Sequence, residues 1–359
     1  MTAPTTIRAL SAETLDIPLH TPFGIAGGAQ DLARNLLITV ELADGTYGYG
    51  EAAPFPVFNG ETQAMAQAAV IAARTTIEGG DAREWRRIAA ALHAAIGPVG
   101  SAQCAIETAI LDALTRHAGI PLWAFFGGAS TSLETDMTVT TGSVEQAAAA
   151  AGEILARGIR TIKIKIGGGG IAADVERVRA IQAAAPGAPL ILDGNGGYTA
   201  DYALELMAVL QSHAVPIALL EQPVPRDDWD GLCQVARWAG VPVAADESLA
   251  SAAEALRIAQ EHAAQVLNIK LMKSGIVEAL DIVAVARAAG LGLMIGGMVE
   301  SLLAMTVSAC FAAGLGGFSF VDLDTPLFMA ENPFEGGMVY AGGRIELGQI
   351  EAGHGVIPK

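Results

Sequence analysis

Cysteine is scarce in this chain, and so is charge. Cys104, Cys233 and Cys310 are the only cysteines among 359 residues. They are too few and too scattered for a disulfide framework or a zinc cluster, and they read as small buried hydrophobes. Charged residues make up 16% of the chain and leave a formal net charge of −17. That balance argues against nucleic acid or an anionic membrane surface as a partner and favours neutral or cationic ligands. No apolar stretch reaches membrane-spanning length without a polar or glycine interruption. The opening MTAPTTIRAL lacks a basic segment followed by a long apolar run, so a soluble cytoplasmic protein is the expectation. The GGGG at 167–170 is not followed by Gly-Lys-Ser/Thr, which removes the P-loop reading and leaves a flexible loop. No serine or cysteine nucleophile arrangement stands out. What the chain has is apolar residues, 52%, and 42 glycines, the composition of a compact enzyme-like protein.

Residues 1 to about 125 read as α+β. IRALSAETLDIPLH and ARNLLITVELADGTYGYGEA carry strand patterns, with turn chemistry at ADGT. ETQAMAQAAVIAARTTIEG and SAQCAIETAILDALTRHAG have helical spacing and end near glycine. From about 135 a short strand and a helix alternate. Strands are expected at 136–140, 161–166, 189–193, 217–221, 242–246, 266–270, in the latter part of 292–296, and in the latter part of 319–324. That rhythm predicts a (β/α)7β barrel, with an open doubly wound sheet as the alternative. The expected division is an α+β capping domain over 1–125, rejoined by 326–359, and a barrel over 126–325. GGMVYAGGRIELG in that tail reads as a hairpin.

The strand ends carry the chemistry. In TIKIKI, Lys163 and Lys165 share one face of a strand, which on an ordinary sheet would simply be its wet side. The next strands end at Asp193, Glu221, Asp246 and Lys270, and the last at Asp322 and Asp324. In a barrel these ends converge on one mouth. Singly, Asp193 or Asp246 could cap a helix. Three acids from adjacent strands would repel one another unless a cation neutralised them, and an all-oxygen set points to Mg²⁺. Asn195 and Glu247 stand either behind those ligands or as plain loop residues. Strands two and six oppose each other in a ring of eight, so Lys165 and Lys270 should face one substrate carbon from its two sides. One lysine would remove a proton and the other return one to the opposite face, with the metal holding the adjoining carboxylate. A lysine base must titrate below its usual ~10.4, and Lys163 with the metal is expected to lower it. Lys273 is placed in the loop or helix start beyond. Asp322 and Asp324 would receive a substrate ammonium, and a dipeptide fits both ends. No histidine among His20, His93, His117, His213, His262 and His354 falls on a strand end.

These residues resemble the enolase superfamily, muconate-lactonizing subgroup, through KIK, DGN, EQP, ADES and NIKLMKSG, with GYGEA in the capping region. DLDTP is similar to the signature of the dipeptide epimerases, represented by the L-Ala-D/L-Glu epimerases. The resemblance implies Lys165 and Lys270 as the acid/base pair, supported by Lys163 and Asn195. It implies Asp193, Glu221 and Asp246 as ligands of one Mg²⁺ per subunit, and Asp322 and Asp324 as receptors of the dipeptide ammonium. Met298, in GGMVES, would help to position substrate, and a homo-oligomer is expected. Relatives acting on Ala-Glu usually place an arginine after PF. Here the stretch is PFGIAGGAQD, so Ile25, Gly27 and Gly28 predict an apolar side chain, while Asp31 keeps a cationic one open. Rival readings are o-succinylbenzoate synthase, N-succinylamino acid racemase or cycloisomerase chemistry, none of which needs the aspartate pair, and a dipeptide-binding barrel without catalysis.

Overall fold

The computed structural model describes residues 3–25 and 28–359, with the side chains of 21–23, 25, 28 and 29 outside the description. Ile25 and Gly28 are therefore described as backbone only, and Gly27 lies outside the described residues. The chain opens with an antiparallel sheet of β1 (Ile7–Ile25), β2 (Gly28–Leu42) and β3 (Tyr47–Ala52), turning at the expected ADGT. Helices α1 (Pro56–Asn59), α2 (Gln63–Ile77), α3 (Trp85–Ile96), α4 (Gly100–Ala118) and α5 (Leu122–Phe125) follow. Strand β3 lies directly on the backbone of α4. A Cβ at Gly50 would stand 2.0 Å from the Ala105 carbonyl oxygen, and one at Gly48 2.2 Å from that of Ala109. This is the packing reason for the two glycines of GYGEA.

After β4 (Ser132–Glu134), eight parallel strands alternate with helices. They run β5 (Met137–Val139), α6 (Val144–Ala156), β6 (Ile162–Lys165), α7 (Ile171–Ala184), β7 (Leu190–Asp193), α8 (Ala200–Ser212), β8 (Ile217–Glu221) and α9 (Trp229–Trp238). The remainder is β9 (Val243–Ala245), α10 (Ala252–Glu261), β10 (Val266–Ile269), α11 (Leu271–Ala289), β11 (Gly292–Ile295), α12 (Leu302–Leu315) and β12 (Phe318–Val321). The strand order is sequential, and the Asp136 N–H donates to the Val321 carbonyl at 2.9 Å, bringing the first strand against the last. This is the (β/α)7β arrangement expected, not an open doubly wound sheet. Helix starts obey local chemistry: Ser143 and Gln146 form a capping box on α6, and Thr199, Asp228, Ser251 and Ser301 cap α8, α9, α10 and α12. Inside the ring Ile191, Leu219, Ala244, Val266 and Met294 form an apolar floor. Asp193, Glu221, Asp246 and Asn268 lie two residues further along the same strand faces, so the polar layer stands on that floor.

Three strands end short of the site residues expected on them. The eighth strand ends at Val321, so Asp322 and Asp324 stand in the loop beyond it, as Asp246 and Lys270 stand one residue past β9 and β10. Asp322 still follows the ladder, its N–H donating to the Ile295 carbonyl at 2.8 Å.

The tail forms β13 (Phe334–Gly336), β14 (Val339–Ala341), β15 (Arg344–Glu346) and β16 (Val356–Pro358), with β14 and β15 making the expected hairpin. Its end binds α4 and α5: the His354 N–H donates to Asp112 Oδ1 at 2.9 Å and the Leu122 N–H to the Gly353 carbonyl at 2.7 Å. Carboxylates of the N-terminal region cap barrel helices. Glu107 accepts from the Ile276 and Val277 N–H groups at 2.6 and 3.0 Å, where α11 breaks at Gly275 (φ 81°). Glu51 accepts from the Ser301 and Ala304 N–H groups at 2.9 and 3.1 Å. Among the described residues no helix is long and apolar enough to cross a membrane.

Candidate active site

The register of the ring builds the site. Lys165 pairs with Asp193, and Asp193 with Glu221, across adjacent strands. Asp193, Glu221 and Asp246 are all fully buried. Lysines surround them: Lys163 Nζ stands 3.0 Å from Asp193, 2.8 Å from Glu221 and 2.6 Å from Asp322. Lys165 Nζ is 2.6 Å from Asp193 Oδ2. Lys270 Nζ is 2.7 Å from Asp246 Oδ2, and Lys273 Nζ 2.8 Å from Asp246 Oδ1. Lys273 does begin a helix, as expected, but its ammonium reaches into the site, which the sequence reading missed.

Burial works against every one of these charges, and the neighbours decide the outcome. Lys163 and Lys165 hold the Asp193 carboxyl below the usual range, and Lys270 and Lys273 hold Asp246 at about 2. Glu221 gets too little positive charge; burial and the Asp193 charge push it up to about 7. Burial alone would lower Lys270, but Asp246 beside it outweighs that and holds its ammonium above the ordinary lysine value. The nearest charged neighbour of Lys270 is thus an anion, Asp246, rather than Lys163. Lys163 is likewise raised, by Asp193, Asp322 and Glu221.

The donor set of Asp193, Glu221 and Asp246 has the chemistry of a hard-cation site, while among the described residues the acids whose oxygens already lie within 4.8 Å of one another are Asp136, Asp322 and Asp324. Glu221 Oε2 and Asp246 Oδ2 are buried oxygens with a lysine nearby but no hydrogen bond, and every donor of the three is a carboxylate. Their other oxygens are held in place: Asn268 Nδ2 donates to Glu221 Oε1 at 2.7 Å. Gln222 Oε1 accepts from the Asp246 N–H at 2.9 Å. Asn195 receives no role as a ligand; its N–H donates to Asp193 Oδ1 at 3.0 Å and its side chain to Glu247 Oε1 at 3.2 Å. Burial and the Asp246 charge push Glu247 up to about 8.

Above this layer lies a narrow cavity of about 20 Å³ lined by Phe55, Phe58, Thr138, Lys165, Asn195, Lys270, Gly297, Met298, Asp322, Asp324 and Thr325. Lys165 and Lys270, from β6 and the end of β10, therefore border one space. Asp324 Oδ2 accepts from the Thr138 N–H at 2.7 Å, and burial with the Asp322 charge raises its carboxyl to about 7. Lys163 lies below the cavity and does not line it. The side chain of Ile25 lies outside the described residues. Lys270 Nζ stands over the Phe58 ring, 4.8 Å from its centroid. Asn268 could have been found from the sequence, since it shares a strand face with Lys270. Phe58, on a short helix of the N-terminal region, gives no such signal.

Two family models cover the chain. The mandelate racemase/muconate lactonizing enzyme N-terminal domain matches residues 9–127, and the enolase C-terminal domain-like family matches 145–359. The chain belongs to the mandelate racemase/muconate lactonizing enzyme family. Within that family it is 56% identical over 353 residues to an aromatic dipeptide epimerase of Herpetosiphon aurantiacus, covering 98% of this chain and 99% of that protein. A solved family member from Roseiflexus sp. superposes with a TM-score of 0.96 at 66% identity, covering 100% and 99% of the two chains. A dipeptide epimerase of Enterococcus faecalis, solved with Mg and the dipeptide L-Leu-L-Tyr, superposes at 0.94 with 32% identity, covering 98% and 99%.

Proposed function

We propose that this chain is a dipeptide epimerase that inverts the α-carbon of the C-terminal residue of an L,L-dipeptide whose side chain there is apolar, aromatic side chains included. The observation that carries this reading is the cavity lined by Lys165 and Lys270 together with Asp322 and Asp324. Lys165 takes the α-proton, the bonding electron pair stays in the substrate, and the Lys270 ammonium delivers a proton to the opposite face; in the reverse direction the roles exchange. Lys270, with its Nζ 2.7 Å from Asp246 Oδ2, is placed to donate. Asp322 and Asp324 take the substrate's ammonium and so fix which residue reaches the lysines. Asp193, Glu221 and Asp246 would hold a Mg²⁺, which when bound supplies positive charge for the carboxylate beside the reacting carbon. Lys163 and Asn268 orient those carboxylates.

Phe55, Phe58 and Met298 give the cavity apolar walls, and among the described residues lining it the cations are Lys165 and Lys270. That supports an apolar side chain over glutamate, in keeping with the aromatic and Leu-Tyr dipeptides attached to the relatives' names. The buried aspartate pair weighs against substrates with an acylated nitrogen.

Proton NMR in D₂O with Mg²⁺ tests the reading on L-Ala-L-Phe, L-Ala-L-Leu and L-Ala-L-Glu. The α-proton of the C-terminal residue should vanish from the apolar peptides first. Lys165→Ala and Lys270→Ala should each slow exchange about 100-fold or more, and each should do so for one stereoisomer more than the other. Equal loss for both isomers would remove the two-lysine assignment, and a preference for Ala-Glu would remove the side-chain assignment.

A further inference from the structure

We infer that Asp136 is a third carboxylate of the receptor for the substrate's ammonium, acting from behind Asp322 and Asp324. It rests on the dipeptide reading for the identity of the ligand. Asp136 enters the barrel just before β5 and is 1% exposed. By strand alternation its side chain shares the inner face with Thr138, which borders the cavity. One oxygen from each of Asp136, Asp322 and Asp324 lies within 4.8 Å of the others.

This cluster is short of positive charge. Both carboxylate oxygens of Asp136 and Oδ1 of Asp324 are buried with no hydrogen-bond partner. The lysine in contact with the group, Lys163, touches Asp322 alone and divides itself between that residue, Asp193 and Glu221. Burial, then the Asp322 charge, pushes the Asp136 carboxyl well above the usual carboxylate range, and an ammonium arriving beside it favours the charged form. Unsatisfied buried acids this close together are costly to keep unless a cation joins them.

The cavity decides which cation. It is lined by Asp322 and Asp324 together with Phe58 and Met298, a mixture of acids and apolar walls that suits a charge carried on an organic molecule. The deeper side is already taken by the Lys163 ammonium. On the dipeptide reading the cation that comes to this place is the substrate's ammonium, carried there on the molecule whose other end meets Lys165 and Lys270. Asp136 does not line the cavity, and its part is to add field at the spot where Asp322 and Asp324 make contact. The consequence is a site that discriminates a protonated amine from a neutral group of the same shape.

The test compares L-Ala-L-Phe with L-lactoyl-L-Phe, in which a hydroxyl replaces the ammonium, in the wild type and in Asp136→Asn with Mg²⁺ present. KM for Ala-Phe should rise about tenfold in the variant, and kcat should fall by less than about threefold, while the inhibition constant of lactoyl-Phe stays within about twofold. Equal shifts for both ligands, or none for either, would overturn the assignment, as would a changed Mg²⁺ affinity with an unchanged KM. If Asp136→Asn does not fold, Asp136→Ser serves the same comparison. Should the wild type exchange no dipeptide, the epimerase reading fails by itself. Calorimetric binding of the same two ligands then still tells whether Asp136 selects for the ammonium.

Discussion

Replacing Asn268 by leucine tests how the carboxylate layer is organised. Asn268 is fully buried, and its Nδ2 donates at 2.7 Å to Glu221 Oε1. Glu221 is already raised to about 7 because burial and Asp193 outweigh the lysines near it. A hydrogen bond to a charged group contributes ~1.5–3 kcal/mol. Leucine matches asparagine in size, so the change removes the bond without opening a large cavity. Glu221 would then ionise less readily and point less definitely. Since every 1.4 kcal/mol is a factor of ten, Mg²⁺ affinity should fall ~10- to 100-fold, the range typical of residues that orient metal ligands. Isothermal calorimetry with Mg²⁺, and Mn²⁺ titration followed by electron paramagnetic resonance, read this without relying on turnover. At saturating Mg²⁺ most of the α-proton exchange rate should return. A dissociation constant unchanged within about threefold would show that Glu221 does not hold the metal, or that Asn268 does not orient it.

Removing metal should also be visible in stability. At a Mg²⁺ concentration about 100 times its dissociation constant, binding adds ~2.7 kcal/mol, so melting after EDTA treatment should occur several degrees lower, and Asp193→Asn should abolish the difference; a melt indifferent to Mg²⁺ would contradict the site. Gly50→Ala forces a Cβ to within 2.0 Å of the Ala105 carbonyl oxygen and should destabilise by ~3 kcal/mol or more, read as a lowered midpoint in urea; an unchanged midpoint would mean β3 can lift from α4 at little cost. Burial raises Glu107 to about 7 from the ordinary ~4.3. The folded state therefore keeps a proton that the unfolded state releases, and this contribution is full below pH ~4.3 and lost as the pH rises through 7. Between those limits the stability of Glu107→Gln should gain on the wild type by ~1.4 kcal/mol per pH unit. Parallel urea midpoints across that window would rule this out.

Much of the fold and the chemistry is local and therefore readable. An apolar run of four or five residues ending in a charge, repeated with a helix between, predicts both the barrel and its reactive rim, because strand alternation sends the final side chains inward wherever the ring closes. Lys163, Lys165, Asp193, Glu221, Asp246, Lys270, Asp322 and Asp324 could be singled out that way, and the hairpins at ADGT and at GGMVYAGGRIELG follow from turn chemistry. Which acid meets which lysine could not be read, because it depends on register and on ring closure between segments far apart in sequence. Lys163 serves Asp193, Glu221 and Asp322 at once. Lys273 turns back to Asp246, and Asp136 joins Asp322 and Asp324 across the seam between the first and last strands. The raised Lys270 has the same origin, for a pKa is set by neighbours in space and the sequence supplies only neighbours along the chain. Phe58 reaches the cavity, and Glu51 and Glu107 cap barrel helices, because β3 and α4 pack against the barrel as a body. Those contacts were decided by tertiary structure, where burial leaves each polar group only the partners that packing brings to it.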